Sequence, residues 1–137
     1  PPLVVAGAQG WGDISVAASD NVKFLGHVEE RFLSGLYAAA SVMAYPSLWE
    51  GFGLPVLEAM AQGTPVVTSE LISTEEVAGG AAVLVDPRSA ESIRDGIRKA
   101  LADRVQLSQR GLQRAALATW NHTAQLTAAA YDEVVAG

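Results

Sequence analysis

The sequence predicts an α/β fold, a doubly wound parallel sheet finished by C-terminal helices. Three observations predict it. Short continuous apolar runs, Leu3-Val4-Val5-Ala6, Val42-Met43-Ala44-Tyr45, Val66-Val67-Thr68 and Ala82-Val83-Leu84-Val85, read as strands, and the first suits a parallel strand buried on both faces. Segments with apolar residues at helical spacing stand between them, an alternation that belongs to a parallel sheet with helices on both sides. From Ser89 onward only helical spacing remains. The 137 residues, 50% of them hydrophobic, make one domain long enough for a real core.

Taken in order, the first strand, Leu3 to Ala6, ends in the glycine-rich turn Gly7-Ala8-Gln9-Gly10-Trp11-Gly12-Asp13. Its glycines do not follow the dinucleotide fingerprint, so a Rossmann cofactor site is not expected there, and on residue types alone the loop is a plain turn. Asn21 to Leu25 is the next strand, ending at Gly26-His27-Val28. His27 has no second His or acid at ligand spacing and reads as a rim or packing residue. A helix follows from Glu29, with acids in its first turn and Phe32, Leu33, Leu36, Tyr37 and Ala40 on one apolar face. These aromatics read as core. Ser41 to Tyr45 is the third strand.

The chain is organised around the next stretch, Glu50-Gly51-Phe52-Gly53-Leu54-Pro55-Val56-Leu57-Glu58, two carboxylates around a Gly-Phe-Gly turn. Following a strand and leading into Ala59-Met60-Ala61-Gln62, it reads as strand, turn and helix. Pro55 suits the first helical position, where its missing N–H has no partner to lose. Glycines let the backbone approach a ligand, and open amides at the helix start face an anion. At ~100° per residue the helix buries Val56, Leu57, Met60 and Ala61 and leaves Glu58 on the flank, toward a cleft. Glu50 lies on the loop at the strand's C-terminal end, where open α/β sheets place ligands. Ionised, both carboxylates are acceptors only and could take hydrogen bonds from hydroxyls such as those of a sugar. Each Glu alone also has a plainer reading, Glu58 complementing the helix dipole and Glu50 a solvated loop charge.

Gly63 caps the helix and Pro65 blocks its continuation. Thr68-Ser69-Glu70 ends the Val66 strand on the same edge as Glu50, where Ser69 can either reach a ligand or cap the loop. Ser73 to Gly80 reads as one helical turn with a glycine stop, and Asp86-Pro87 as a turn after the last strand. Ile93, Ile97 and Leu101 mark a helix from Ser89, Asp103 to Thr119 a second, and Asn121 to Val135 a third, with Trp120 leading into it. Arg94, Arg98 and Lys99 read as a solvated helix face.

The long segment from Tyr45-Pro46-Ser47-Leu48-Trp49-Glu50 through Gly63-Thr64-Pro65-Val66-Val67 resembles the signature of group 1 (family 4) retaining glycosyltransferases, and the likeness extends from Leu3 to about Tyr131. The resemblance implies that residues 1–137 are a single, N-terminally truncated donor-binding domain, the Rossmann-like half of a two-domain GT-B enzyme. It implies sugar transfer from a nucleoside diphosphate with retention, by front-face attack without an enzyme nucleophile, with no metal or other cofactor. By the same resemblance Glu50 is the catalytic carboxylate, meeting sugar hydroxyls together with the Phe52 amide. The Gly53 and Leu54 amides take the diphosphate and Glu58 the ribose; Gly7 lies by the phosphates, and Val28 holds the base through its main chain. Relatives often carry Lys where this chain has Ala8. Gly10-Trp11 and Glu76-Val77-Ala78-Gly79 are similar to the mannosyl-transferring, polysaccharide-building subset, so GDP-mannose is the preferred donor and UDP-sugars the competitor.

Composition bounds the rest. A net charge of −6 leaves no basic stripe for nucleic acid and repels anionic lipid. The absence of cysteine rules out disulfides and thiolate metal sites. No signal peptide or membrane-spanning run is evident, which points to the cytoplasm. The abrupt opening at Pro1-Pro2-Leu3 reads as a fragment boundary. The expected partners are thus a nucleotide sugar and the N-terminal acceptor domain. The family's diphosphate-clamping Arg and Lys fall before this chain, so the chain alone is expected to be inactive. Apolar residues of the final helix, orphaned from that domain, would favour self-association. The alternative is a non-catalytic nucleotide-sugar-binding or assembly module on the same scaffold; a two-domain sugar-nucleotide epimerase is a third, weaker reading.

Overall fold

The computed structural model describes residues 2–7 and 20–136. The glycine-rich turn expected after Gly7, with Gly10-Trp11 in it, lies outside them. Among the described residues five strands and six helices alternate as expected, β1 Leu3–Ala6, β2 Val22–Gly26, α1 Glu30–Ala39, β3 Met43–Tyr45, α2 Leu54–Ala61, β4 Val66–Ser69, α3 Ile72–Ala78 and β5 Val83–Val85. Helices α4 Ala90–Ala102, α5 Arg104–Leu117 and α6 Trp120–Ala136 complete the chain. All strand pairings are parallel.

The strands do not form one continuous ladder. β1 pairs with β2, and β3-β4-β5 form a second sheet with β4 central. Alternation of elements predicts parallel strands but not which strands are neighbours. β1 also departs from the burial on both faces expected of it: Leu3 and Val4 are exposed, as are Phe24 and Leu25 of its neighbour β2. An apolar run makes a strand; only packing against other elements buries it.

The three-stranded sheet carries the core. Successive residues of β4 point to opposite faces. Val66 joins Val56, Ala59, Met60 and Val77 beneath α2 and α3, while Val67 joins Val83, Val85, Ala100 and Leu107 beneath α4 and α5. This is the doubly wound arrangement. Val56, Met60, Val66 and Val67 are fully buried, each worth roughly 1.5–3 kcal/mol. Gly96 of α4 lets that helix lie directly on the sheet, because an added Cβ would overlap Val85 Cγ1.

Several local expectations are corrected. Helix α2 begins at Leu54, so Pro55 takes the second helical position, where the N–H also lacks an intrahelical partner. Its buried residues are Val56, Ala59 and Met60, with Leu57 half-buried and Ala61 exposed, since the core takes a narrower stripe and Ala61 turns toward α1. Helix α1 buries no residue fully, and Phe32 is exposed, its ring beneath the Arg31 guanidinium at 4.8 Å. Gln62 is the cap of α2 and Gly63 follows at φ 72°; Gly63 N–H donates to Met60 O at 2.9 Å and Thr64 N–H to Ala59 O at 3.0 Å, closing a Schellman motif. The single turn expected from Ser73 is a seven-residue helix ending at left-handed Gly79. Ser89 caps α4 by accepting from Ser92 N–H at 3.1 Å. Arg94 pairs on the surface with Glu91 and Asp95, as a solvated helix face should.

Candidate functional site

The loop of residues 46–53 leaves the C-terminal end of β3 and enters α2 through Gly53. Gly53 sits at φ 97°, a left-handed conformation that glycine adopts without strain, and it is the residue that turns the chain into the helix. With glycine at the cap there is no side chain to satisfy the first amides, and among the described residues no hydrogen bond takes the Gly53 or Leu54 N–H. Pro55 has none to offer, and Val56 N–H is turned back to Gly53 O at 2.9 Å. Two adjacent amides at the positive end of a helix therefore remain unpaired, that of Gly53 on a buried residue and that of Leu54 on an exposed one, a geometry suited to an anion.

The path of this loop is set from outside it. Thr68 and Ser69, at the end of β4, donate to Tyr45 O at 3.1 Å and Ser47 O at 2.5 Å. Ser73, in the first turn of α3, donates to Glu50 O at 2.9 Å. Thr74 in turn donates to Ser69 O at 2.6 Å. Thr68, Ser69 and Thr74 are fully buried, and among the described residues no buried side-chain polar atom lacks a partner. Ser69, which the sequence left as either a ligand contact or a loop cap, is a loop cap with its hydroxyl committed.

Both motif carboxylates are held by tyrosines. Tyr45 Oη donates to Glu50 Oε2 at 2.5 Å, and Tyr37 Oη donates to Glu58 Oε2 at 3.1 Å. Burial first, and then the Glu58 carboxylate, pushes the Tyr37 phenol up to about 12. Burial and the hydrogen bond to Glu50 raise Tyr45 likewise. Both phenols are donors throughout the physiological range. Glu58 is exposed, as expected, and lines a groove of about 240 Å³ between α1 and α2 with Glu30, Leu33, Ser34, Tyr37 and Gln62.

Of the residues the sequence singled out, Glu50, Phe52, Gly53, Leu54 and Glu58 thus lie on one loop and helix start. Gly7 and Val28 belong to the C-terminal end of the other sheet, where Gly7 N–H donates to Gly26 O at 2.8 Å. No hydrogen bond among the described residues links the two groups. Among the described residues no three His, Cys, Asp or Glu converge as metal ligands would, and no helix is long and apolar enough to cross a membrane. Sequence reasoning missed Tyr37 and Tyr45 as partners of the carboxylates, reading Tyr37 as core and Tyr45 as strand. The signal for Tyr45 was its place as the last strand residue before the Glu50 loop.

An open helix start between two tyrosine-held carboxylates, at the C-terminal edge of a parallel sheet, is a geometry for a hydroxyl-rich anion. Residues 14–117 match the family described as Glycosyl transferases group 1. The chain belongs to that family. Among its relatives, O-antigen chain mannosyltransferase B of Escherichia coli is 38% identical over 140 residues, covering 95% of this chain and 37% of the relative. Sucrose-phosphate synthase of Thermosynechococcus elongatus superposes with a TM-score of 0.73 at 33% identity, over 86% of this chain and 31% of that one. Anabaena Alr3699/HepE, solved in complex with UDP and glucose, shares the fold, with a TM-score of 0.75 at 21% identity over 96% of this chain and 40% of that one. The chain thus spans well under half the length of these group 1 and GT-B proteins.

Proposed function

We propose that this chain is the donor-binding domain of a longer, retaining glycosyltransferase that moves a mannosyl group from GDP-mannose to an acceptor. The observation that carries the reading is the pair of open Gly53 and Leu54 amides set between Glu50 and Glu58. The mannosyl assignment is supported by the likeness to the Escherichia coli mannosyltransferase.

The chemical difficulty of the transfer is negative charge growing on the departing diphosphate while the sugar becomes oxocarbenium-like. In this reading the two amides meet the diphosphate and stabilise that charge without reorganising. Glu50 and the Phe52 amide hold sugar hydroxyls, and Glu58 takes the ribose hydroxyls through the oxygen that Tyr37 leaves open. The Val28 main chain contributes toward the base from the β1–β2 edge, and Gly7, whose N–H donates to Gly26 O, lies by the phosphates as a point of close approach. Retention follows from front-face attack assisted by the donor phosphate, with no enzyme nucleophile and no metal in the scheme. The remaining diphosphate contacts and the acceptor site come from the rest of the enzyme.

Calorimetric titration of the whole protein with GDP, UDP and GDP-mannose, beside a Glu58→Gln variant, tests this. GDP and GDP-mannose should bind more tightly than UDP, and the substitution should weaken each by about tenfold, the loss of one hydrogen bond to a charged group. Equal affinity of wild type and variant would remove Glu58 from the site. Tighter binding of UDP would change the donor to a UDP-sugar and leave the platform standing.

A further inference from the structure

The Glu50 side chain has three rotatable bonds and stands on a loop, so a productive orientation costs conformational entropy unless something imposes it beforehand. Tyr45 is built to impose it. Its backbone is locked in the sheet opposite Thr68, its carbonyl accepts from Thr68 Oγ1 at 3.1 Å, and its ring packs on the core cluster around Met60. A tyrosine ring has only two side-chain torsions, and here the strand and the core restrain both ends of the lever. The hydroxyl meets Glu50 Oε2 at 2.5 Å, at the short end of the range for charge-assisted O–H donor bonds. Among the described residues no hydrogen bond takes Oε1.

We propose that Tyr45 is the positioning residue for Glu50, its hydroxyl pinning one carboxylate oxygen so that the other is presented to the donor sugar. The assignment rests on Glu50 meeting that sugar. It explains why a hydroxyl is carried at the end of β3, where packing alone would be served by phenylalanine. Only the protonated phenol can donate, and an ionised one would face both the Glu50 and Glu58 carboxylates; burial of the ring and these carboxylates outweigh the Ser47 side chain, which acts the other way, and keep the proton on.

The test uses the full-length enzyme with Tyr45→Phe, Glu50→Gln and the double variant. Tyr45→Phe should lower kcat about tenfold, with the KM for donor within about twofold and the thermal midpoint nearly unchanged. In the Glu50→Gln background, where the amide oxygen still accepts from the hydroxyl but no carboxylate is left to meet the sugar, the same substitution should add little further loss. Should the two losses multiply in the double variant, or should Tyr45→Phe keep full kcat while Glu50→Gln is impaired, the positioning role is wrong and the Glu50 reading survives. Undiminished kcat in Glu50→Gln would remove Glu50 from catalysis and the proposal with it. Installing 3-fluorotyrosine at position 45 gives a second readout that keeps the ring and its packing. The more acidic phenol should move the alkaline limb of kcat to lower pH, and an unmoved limb would overturn the proposal.

Discussion

Tyr37 and Glu58 meet across the groove between α1 and α2, two helices whose facing side chains are otherwise only half-buried or exposed. The bond matters for more than ligand orientation. The phenol's folded pKa of about 12 lies above its ordinary 10.0, so between those values the unfolded chain has released a proton that the folded chain keeps. The contribution is therefore complete below pH 10, and it is lost as pH rises through about 12. Thermal unfolding followed across that window should show wild type losing stability more steeply than Tyr37→Phe, in which no phenol titrates at this position. Parallel curves would remove Tyr37 as the source. At neutral pH the same substitution should raise the donor KM and leave kcat nearly unchanged, since Glu58 is read as holding the ribose.

At the scale of elements, stability depends on how closely α4 and α5 approach the sheet and α2. Gly96 leaves no room for a Cβ against Val85, and a Cβ on Gly111 would stand 3.2 Å from Met60 Cγ. Gly96→Ala should cost about 1–3 kcal/mol by overpacking, read as a lowered denaturation midpoint with an unchanged slope. Gly35→Ala on exposed α1, where nothing lies within 4 Å, should cost nothing or stabilise slightly. Most elements were legible in the sequence because periodicity and punctuation agree: the Val66 run, the Gly63-Thr64-Pro65 stop and the Ile93, Ile97 spacing each have one structural solution. What escaped depends on neighbours distant in sequence. Burial of Ala59 rather than Ala61 depends on where the sheet lies beneath α2. The length of α3 depends on Arg114 of α5, which donates to Val77 O and Glu76 O at 2.8 Å each and satisfies the carbonyls at its end. The site was legible to the same degree. A local motif contains Glu50, Gly53 and Glu58, whereas the bonds from Tyr37, Thr68, Ser69 and Ser73 span from 21 to 23 residues and leave no local pattern.

For the whole molecule, the described apolar surface is unevenly finished. Strands β4 and β5 are covered on both faces and β3 is half-buried with Ala44 exposed, while β1, β2 and α6 expose Leu3, Phe24, Trp120, Leu126, Val134 and Val135. The relatives extend well beyond this domain, and in the proposed function the acceptor site and the remaining diphosphate contacts belong to the rest of the enzyme. Purified alone, the chain should therefore show no sugar transfer above a Glu50→Ala control, and the longer protein should. Turnover by the isolated chain would mean that the acceptor site is nearer to hand than proposed. The hydroxyls of Thr68, Ser69 and Ser73 have a consequence of another kind. Each grips a main-chain carbonyl of the 45–50 segment and ignores the side chains, so Leu48, Trp49 and Phe52, all solvent-facing, can change identity without moving Glu50. The fold thereby separates the part of the loop that must stay constant from the part that can diversify, and a library randomised at those three positions should sample new sugar preferences on an unaltered frame.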